Sequence, residues 1–144
     1  MWQQVGFQEN TVCRKAPFFP QPVVEFAWKN DDLGDPMMNE SQILAFGLAT
    51  KSELETMTET ALGINALLIT LFAKIGIRFV DFKVEFGRYN GELILCDEIS
   101  PDSCRLWDVK TGEKLDKDRF REDLGDLREG YSVVLERLQE QGAV

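Results

Sequence analysis

The chain has 144 residues, 44% hydrophobic and 28% charged, with a formal net charge of −9. That length and balance fit one soluble folded domain and argue against disorder. The acidic surplus argues against non-specific binding to nucleic acid or an anionic membrane, but leaves room for a small anionic substrate held by a local cluster of Lys and Arg. Histidine is absent, which excludes His-built zinc sites and a Ser-His-Asp triad; acid–base chemistry falls to carboxylates, Lys or Tyr. The three cysteines, Cys13, Cys96 and Cys104, fit neither a disulfide framework nor a zinc site. The longest apolar runs fall short of the ~20 residues of a membrane span, and no basic-then-apolar signal opens the chain. The expectation is a cytoplasmic protein.

In chain order, residues 1–21 form a poorly patterned segment, where Pro17 and Pro20, with Pro22 just beyond, favour loop or extended chain. Residues 22–144 are read as the folded domain. Val23–Trp28 suits a short strand or a turn of helix, and Lys29–Asp32 and Gly34–Pro36 are turn-forming. Asn39 with Gln42 predicts a capped short helix that ends near Gly47, and Thr50 with Glu53 predicts a second capping box. The long helix that follows carries an apolar stripe, Leu54, Met57, Ala61, Ile64, Leu68, Leu71 and Ile75, with Gly76 placed to stop it.

The period then changes. Val80, Phe82, Val84 and Phe86 alternate with Asp81, Lys83 and Glu85, which predicts a strand with one oily and one charged face. Asn90-Gly91 predicts a hairpin turn, with Leu93–Cys96 as the return strand. Ser100–Asp108 reads as loop, and Thr111-Gly112 as a turn. From Asp116 a helix is expected, burying Leu124, Leu127, Tyr131, Val134, Leu135 and Leu138. The class is α+β, an antiparallel hairpin region packed by the Glu53–Ile75 helix and the carboxyl-terminal helix.

The charged strand face is the candidate for chemistry. Asp81, Lys83 and Glu85 share it, and Asp97 arrives at the end of the partner strand. Two carboxylates beside a lysine suit magnesium and phosphate. A solvated outer sheet face explains the same pattern. Register separates the two readings. A two-residue turn sets Glu85 opposite Cys96 and turns Asp97 to the other face; a longer loop or bulge restores the parity. The two-carboxylate reading therefore predicts an irregular register. A second cluster, Asp102, Arg105, Lys110, Lys117, Arg119 and Arg121, suits phosphate or a mixed-charge surface loop. Lys29 with Asp31, Asp32 and Asp35 is equally open.

At these residues the chain resembles the phosphoribosylaminoimidazole-succinocarboxamide synthase (SAICAR synthetase) family, in its carboxyl-terminal half. The carriers are Trp28–Asp31, Asp35-Pro36 with Asn39–Ser41, Val80–Gly87, Asp97–Asp102, Cys104–Asp108 and Leu115–Arg121, in the family's order and spacing over about Pro22–Leu138. The resemblance implies the second lobe of an ATP-grasp-related architecture. It also implies an ATP-dependent ligase of purine biosynthesis that joins L-aspartate to the carboxylate of an aminoimidazole ribonucleotide through an acyl phosphate.

By the same resemblance, Glu85 and Asp97 match magnesium and ATP ligands, and Lys83 a lysine near the nucleotide phosphates. Asp81 faces the substrate carboxylate and metal, and Asp81 and Lys83 stand as the catalytic pair. Arg105 matches the arginine that holds the ribonucleotide phosphate, and Lys29, Lys117 and Arg121 match basic positions around the cleft. The family's amino-terminal lysine strand and arginine–serine motif are not visible; the expectation is a ligase of this family or one half of a split one that needs a separate amino-terminal chain, with a non-catalytic remnant or interaction module as the alternative. A lost lobe would leave apolar surface exposed, with Phe18, Phe19, Phe26 and Trp28 as candidates, and would favour self-association or a partner such as the missing amino-terminal half.

Overall fold

The computed structural model describes residues 2–6, 21–123 and 125–142. In chain order it forms β1 (Trp2–Gly6), β2 (Glu25–Trp28), a 3-10 turn (Asp31–Leu33), β3 (Met37–Met38), α1 (Glu40–Ala45), α2 (Lys51–Lys74), β4 (Ile77–Tyr89), β5 (Glu92–Cys96), β6 (Cys104–Asp108), α3 (Asp118–Arg121) and α4 (Leu127–Glu140). The chain divides into two compact units, residues 1–64 with 83–98, and residues 65–82 with 99–144. The division does not follow the 21/22 boundary read from composition. Cys13, Pro17, Phe18, Phe19, Pro20 and Leu124, and the side chain of Leu127, lie outside the described residues.

The first unit is built on a sheet of order β3-β2-β1-β4-β5. All its pairings are antiparallel, and β1 lies between β2 and β4, with Val5 opposite both Phe26 and Val84. This strand falls inside the segment 1–21, which carries no legible strand pattern. Phe82, Val84 and Phe86 of β4 are buried at 2%, 1% and 3% exposure, whereas Val80 is 40% exposed. The oily alternation therefore starts at Phe82 rather than Val80. Phe26 is buried and, with Ala27, Trp28, Ile43 and Leu48, lines a small apolar pocket. Phe26 is thus not part of an exposed patch, because pairing to β1 and β3 turns it into the core.

Both expected capping boxes form. Asn39 Oδ1 accepts from the Gln42 N–H while the Asn39 N–H donates to Gln42 Oε1. The Thr50 N–H donates to Glu53 Oε2 at 2.7 Å and the Glu53 N–H donates to Thr50 Oγ1 at 3.2 Å. Arg88, near the end of β4, grips the same carboxylate with Nε at 2.5 Å and Nη2 at 2.7 Å, and also donates to the Leu48 carbonyl. One bidentate guanidinium thus ties the start of α2 to the sheet. In α2, Leu54, Met57 and Ala61 are buried as expected. Farther on, the stripe shifts to Phe72 and Ile75, with Ile64, Leu68 and Leu71 half-buried. Gly76 ends the run at φ +68.

By length and composition α2 is long and apolar enough to cross a membrane, among the described helices. A count of uninterrupted apolar residues misses this, because its Thr, Gly and Asn residues break the runs while adding little charge. Leu54, Met57 and Ala61 are buried, but 17% of that apolar window is buried in all, and Leu67 and Ile69 are 72% and 47% exposed.

The second unit is built where β4 pairs with β6, a strand inside the segment read as loop. Cys104, Leu106 and Asp108 point inward and Arg105 and Trp107 are half-buried. Five residues with two charges give too short a period-two signal. The ladder shifts register between Phe79 and Asp81, so that Asp81 opposes Arg105 and Val80 is the extra residue of a bulge. Phe79 stacks on Phe72 with centroids 5.6 Å apart, and contacts Phe82 at 5.5 Å. Arg137 of α4 donates to Asp108 Oδ2 at 2.6 Å and to the Ile75 carbonyl, tying α4 to the ends of both β6 and α2. The helix expected from Asp116 is broken. α3 ends at Arg121, Asp123 and Gly125 take positive φ, and Asp126 caps α4. In α4, Val134 is buried and Leu135 is 51% exposed, against the expectation that both are buried.

Two glycines test this packing. A Cβ at Gly63 of α2 meets nothing within 4 Å, whereas at Gly130 of α4 it meets Arg119 Cδ at 2.8 Å and the Leu115 backbone at 3.2 Å. Gly63→Ala is expected to raise stability by about 1 kcal/mol through helix propensity, and Gly130→Ala to lower it by about 2 kcal/mol through overpacking, both measured by urea unfolding. The Arg88 pair has a pH signature. Hydrogen bonds from Arg88 outweigh the effect of burial, and with those from Thr50 lower the Glu53 pKa from 4.5 to about 2. The pair's stabilisation is therefore fully present above pH 4.5 and is lost as pH falls through 2. Glu53→Gln should cost about 2 kcal/mol at pH 7 and almost nothing near pH 2, read from urea midpoints at the two values.

Candidate functional site

The first unit holds Lys29, Lys83, Glu85 and Asp97. Lys83 and Glu85 lie two apart on β4, on the face opposite the buried Val84, and pair at 3.1 Å with side chains 45% and 16% exposed. The cation therefore reaches solvent while the carboxylate is more sheltered. Asp97 follows β5. The β4–β5 register is regular, with a two-residue turn and Glu85 opposite Cys96, so the expected irregularity is absent. The cause is Asn90-Gly91: both residues take positive φ, 51° and 85°, and such a turn matches strand twist without an extra residue. Strand parity does not carry through to Asp97, however. The ladder stops at Cys96 and Asp97 has φ +74, where its carboxylate accepts from the Glu98 N–H at 3.1 Å.

Lys29 extends from the end of β2 into the loop that precedes β3. Its Nζ pairs with Asp31 at 2.5 Å and Asp35 at 3.2 Å. The hydrogen bonds it donates to Asp31 and Asp35 raise its pKa to about 12. Lys29 thus closes its own loop as an ion-paired staple.

Among the described residues no group of three or more Asp, Glu or Cys side chains forms a ready-made metal cage. Magnesium, however, takes only one or two protein carboxylates and completes its shell with water and nucleotide phosphates. Glu85 and Asp97 supply hard oxygens of that kind, so their donor chemistry fits.

The second unit holds Asp81, Arg105, Lys117 and Arg121. The bulge at Val80 sets Asp81 directly across from Arg105, and the pair closes at 2.5 Å with both side chains 16% exposed. Arg105 Nε donates to Asp118 Oδ2 at 2.8 Å, and Arg121 Nη1 donates to Asp118 Oδ1 at 2.9 Å. Lys117 lies 3.7 Å from Asp102, which also accepts from the Tyr131 hydroxyl at 2.8 Å. Beneath these, the fully buried Asp116 accepts from the Leu106 and Asp118 N–H groups at 2.7 and 2.8 Å.

The electrostatics follow from burial and partners. Burial disfavours the Arg105 cation, but Asp81 and Asp118 outweigh it and hold its pKa above the ordinary arginine value. Burial likewise opposes ionisation of Asp118, and the two guanidiniums outweigh it, so its pKa is lowered. Burial pushes the Asp116 carboxyl up, and raises Tyr131 together with the hydrogen bond to Asp102. Burial also lifts the Cys104 thiol to about 12, which makes it a core side chain rather than a nucleophile. Sequence reasoning does not single out Asp116 and Asp118 as site residues. Their signal is the Asp-Lys-Asp spacing between a buried Leu115 and a short helix, which only the fold reveals as a support.

The comparisons agree with the resemblance. The SAICAR synthetase family profile matches residues 5–138. A phosphoribosylaminoimidazole-succinocarboxamide synthase of Lachnoclostridium phytofermentans is 56% identical over 117 residues, covering 81% of this chain and 50% of the relative. The crystal structure of the synthase from Ehrlichia chaffeensis superposes with a TM-score of 0.86 at 42% identity, over 96% of this chain and 63% of that one. A SAICAR synthetase (type 2) solved in complex with ADP gives 0.83 at 42% identity, over 95% and 62%. The chain spans about half the length of the curated relatives it matches. The profile match, the sequence identity and the shared α+β architecture make this chain a member of the SAICAR synthetase family.

Proposed function

We propose that this chain carries part of the active site of an ATP-dependent ligase that joins L-aspartate to the carboxylate of an aminoimidazole ribonucleotide. The observation that carries the reading is the state of the motif residues within each unit: Lys83 and Glu85 pair on the polar side of β4 in the first, and Arg105 is ion-paired opposite Asp81 in the second. Family membership and the ADP complex of a relative support a nucleotide substrate.

In this reading, the ribonucleotide carboxylate attacks the terminal phosphorus of ATP and ADP leaves. The amine of aspartate then attacks the acyl phosphate carbon, phosphate departs, and the amine loses a proton as the amide forms. Lys83, 45% exposed, offsets phosphate charge; Glu85 and Asp97 would hold magnesium, which would supply charge neutralisation between the anions. Arg105, Arg121 and Lys117 receive the ribonucleotide phosphate, and Asp81 orients Arg105 beside the substrate carboxylate. Lys29 shapes the loop before β3. No step requires histidine.

Because the chain spans about half the length of its relatives, the full reaction is proposed for it together with the remaining portion of the family's length, on the same or a separate chain. The test is an assay for ATP- and aspartate-dependent succinocarboxamide product, run with and without the amino-terminal half of a family member. Product is expected in the complemented mixture, and Glu85→Gln or Asp97→Asn should each lower its rate by about 100-fold. Absence of product from every mixture refutes the ligase reading. A full rate in Asp97→Asn refutes the two-carboxylate site.

A further inference from the structure

Asp118 is a sheltered carboxylate within the basic cluster, and its geometry sets it apart from an ordinary surface ion pair. Its side chain is 8% exposed, yet each of its two oxygens takes a different guanidinium: Oδ2 from Arg105 Nε at 2.8 Å, Oδ1 from Arg121 Nη1 at 2.9 Å. The two oxygens share one carbon, so the two cations are held at a set separation. Two adjacent guanidiniums would otherwise repel one another. Arg121, 55% exposed, has little else to hold it.

The carboxylate is itself fixed from below. Asp116, 1% exposed, binds the Asp118 N–H with one oxygen and the Leu106 N–H of β6 with the other. The short segment between β6 and α3 thus forms a chain of supports: strand backbone, buried Asp116, Asp118, then two arginines. Such underlying support is what holds a binding constellation in register.

We propose that Asp118 is a positioning residue that locks Arg105 and Arg121 side by side into a single cradle for a phosphate monoester dianion. This rests on the assignment of the two arginines to the ribonucleotide phosphate and adds how they act as a unit. A monoester dianion presents several equivalent oxygens, and planar guanidinium forks match them when their orientation is preset. An arginine left to rotate in solvent must be ordered at the moment of binding, and affinity falls accordingly.

The experiment uses the full chain labelled with 15N in its arginine side chains, titrated by NMR with ribose 5-phosphate and, separately, with ribose. In the unsubstituted chain, ribose 5-phosphate is expected to shift the Arg105 and Arg121 side-chain signals, and ribose to leave them in place. Asp118→Asn, which keeps the shape and removes the charge, should weaken ribose 5-phosphate binding about tenfold. If the unsubstituted chain shows no phosphate-dependent shift, the assignment of the arginines fails, and the cradle with it. If that shift appears and Asp118→Asn binds equally well, the arginines stand and the positioning role is overturned. A lower melting temperature with unchanged affinity overturns it too, since it marks a purely structural ion pair. Arg121→Gln covers the case in which Asp118→Asn does not fold, because its position is exposed. A similar loss supports the paired cradle, and unchanged binding overturns it.

Discussion

Strand β4 sets the constraint on which both units are built. Its 13 residues run through both, and the period of two along its second half commits Phe82, Val84 and Phe86 to the core and Asp81, Lys83 and Glu85 to the opposite side. A shift of one residue would bury three charges and expose three apolar side chains, so the register is strongly determined. The strand departs from this period once, at the bulge that extrudes Val80. That extra residue brings Asp81 level with Arg105, and the ion-pair network of the second unit follows from that alignment.

Both units tie their elements together through arginines. In the first, Arg88 joins a helix cap to the sheet through Glu53; in the second, Arg137 joins α4 to Asp108 and the Ile75 carbonyl. Arg119, 5% exposed, is enclosed by Glu113, Glu129 and the carbonyls of Lys114 and Asp126. Each such arginine has several oxygen partners, which is the condition under which a sheltered guanidinium is tolerated. The network of Asp81, Arg105, Asp118 and Arg121 follows the same rule but ends in an exposed Arg121. A structural network with a solvent-facing cation is the arrangement a binding site needs.

Much of the local architecture is legible in the sequence. The two capping boxes form through the hydrogen bonds their residue types permit, and Asn90-Gly91 makes the hairpin. These features depend on residues three or four apart, so the chain near them settles the outcome. β6 is not legible, because its alternation of Cys104, Leu106 and Asp108 ends on a carboxylate that only Arg137, 29 residues on, and its own turn can satisfy. The apolar spacing after Asp116 is helical throughout and predicts one continuous helix; the positive φ of Asp123 and Gly125 that breaks it is a choice made by packing. Lys29 resembles a substrate contact by its neighbourhood of residues, and its position shows it held by Asp31 and Asp35.

The sequence by itself determined the period-two face of β4, the starts of α1 and α2, and the family, because each is written in residue order and spacing. The charged face that first pointed to nucleotide chemistry is among these. Tertiary structure alone decided three things. The β4–β5 register is regular, since a two-residue turn already satisfies strand twist. Phe26 is core rather than open surface, since a strand close to the amino terminus pairs beside it. Arg105 and Arg121 share one buried carboxylate, because a bulge, a strand and a four-residue helix bring together groups whose positions in the sequence say nothing about the separation of their side chains.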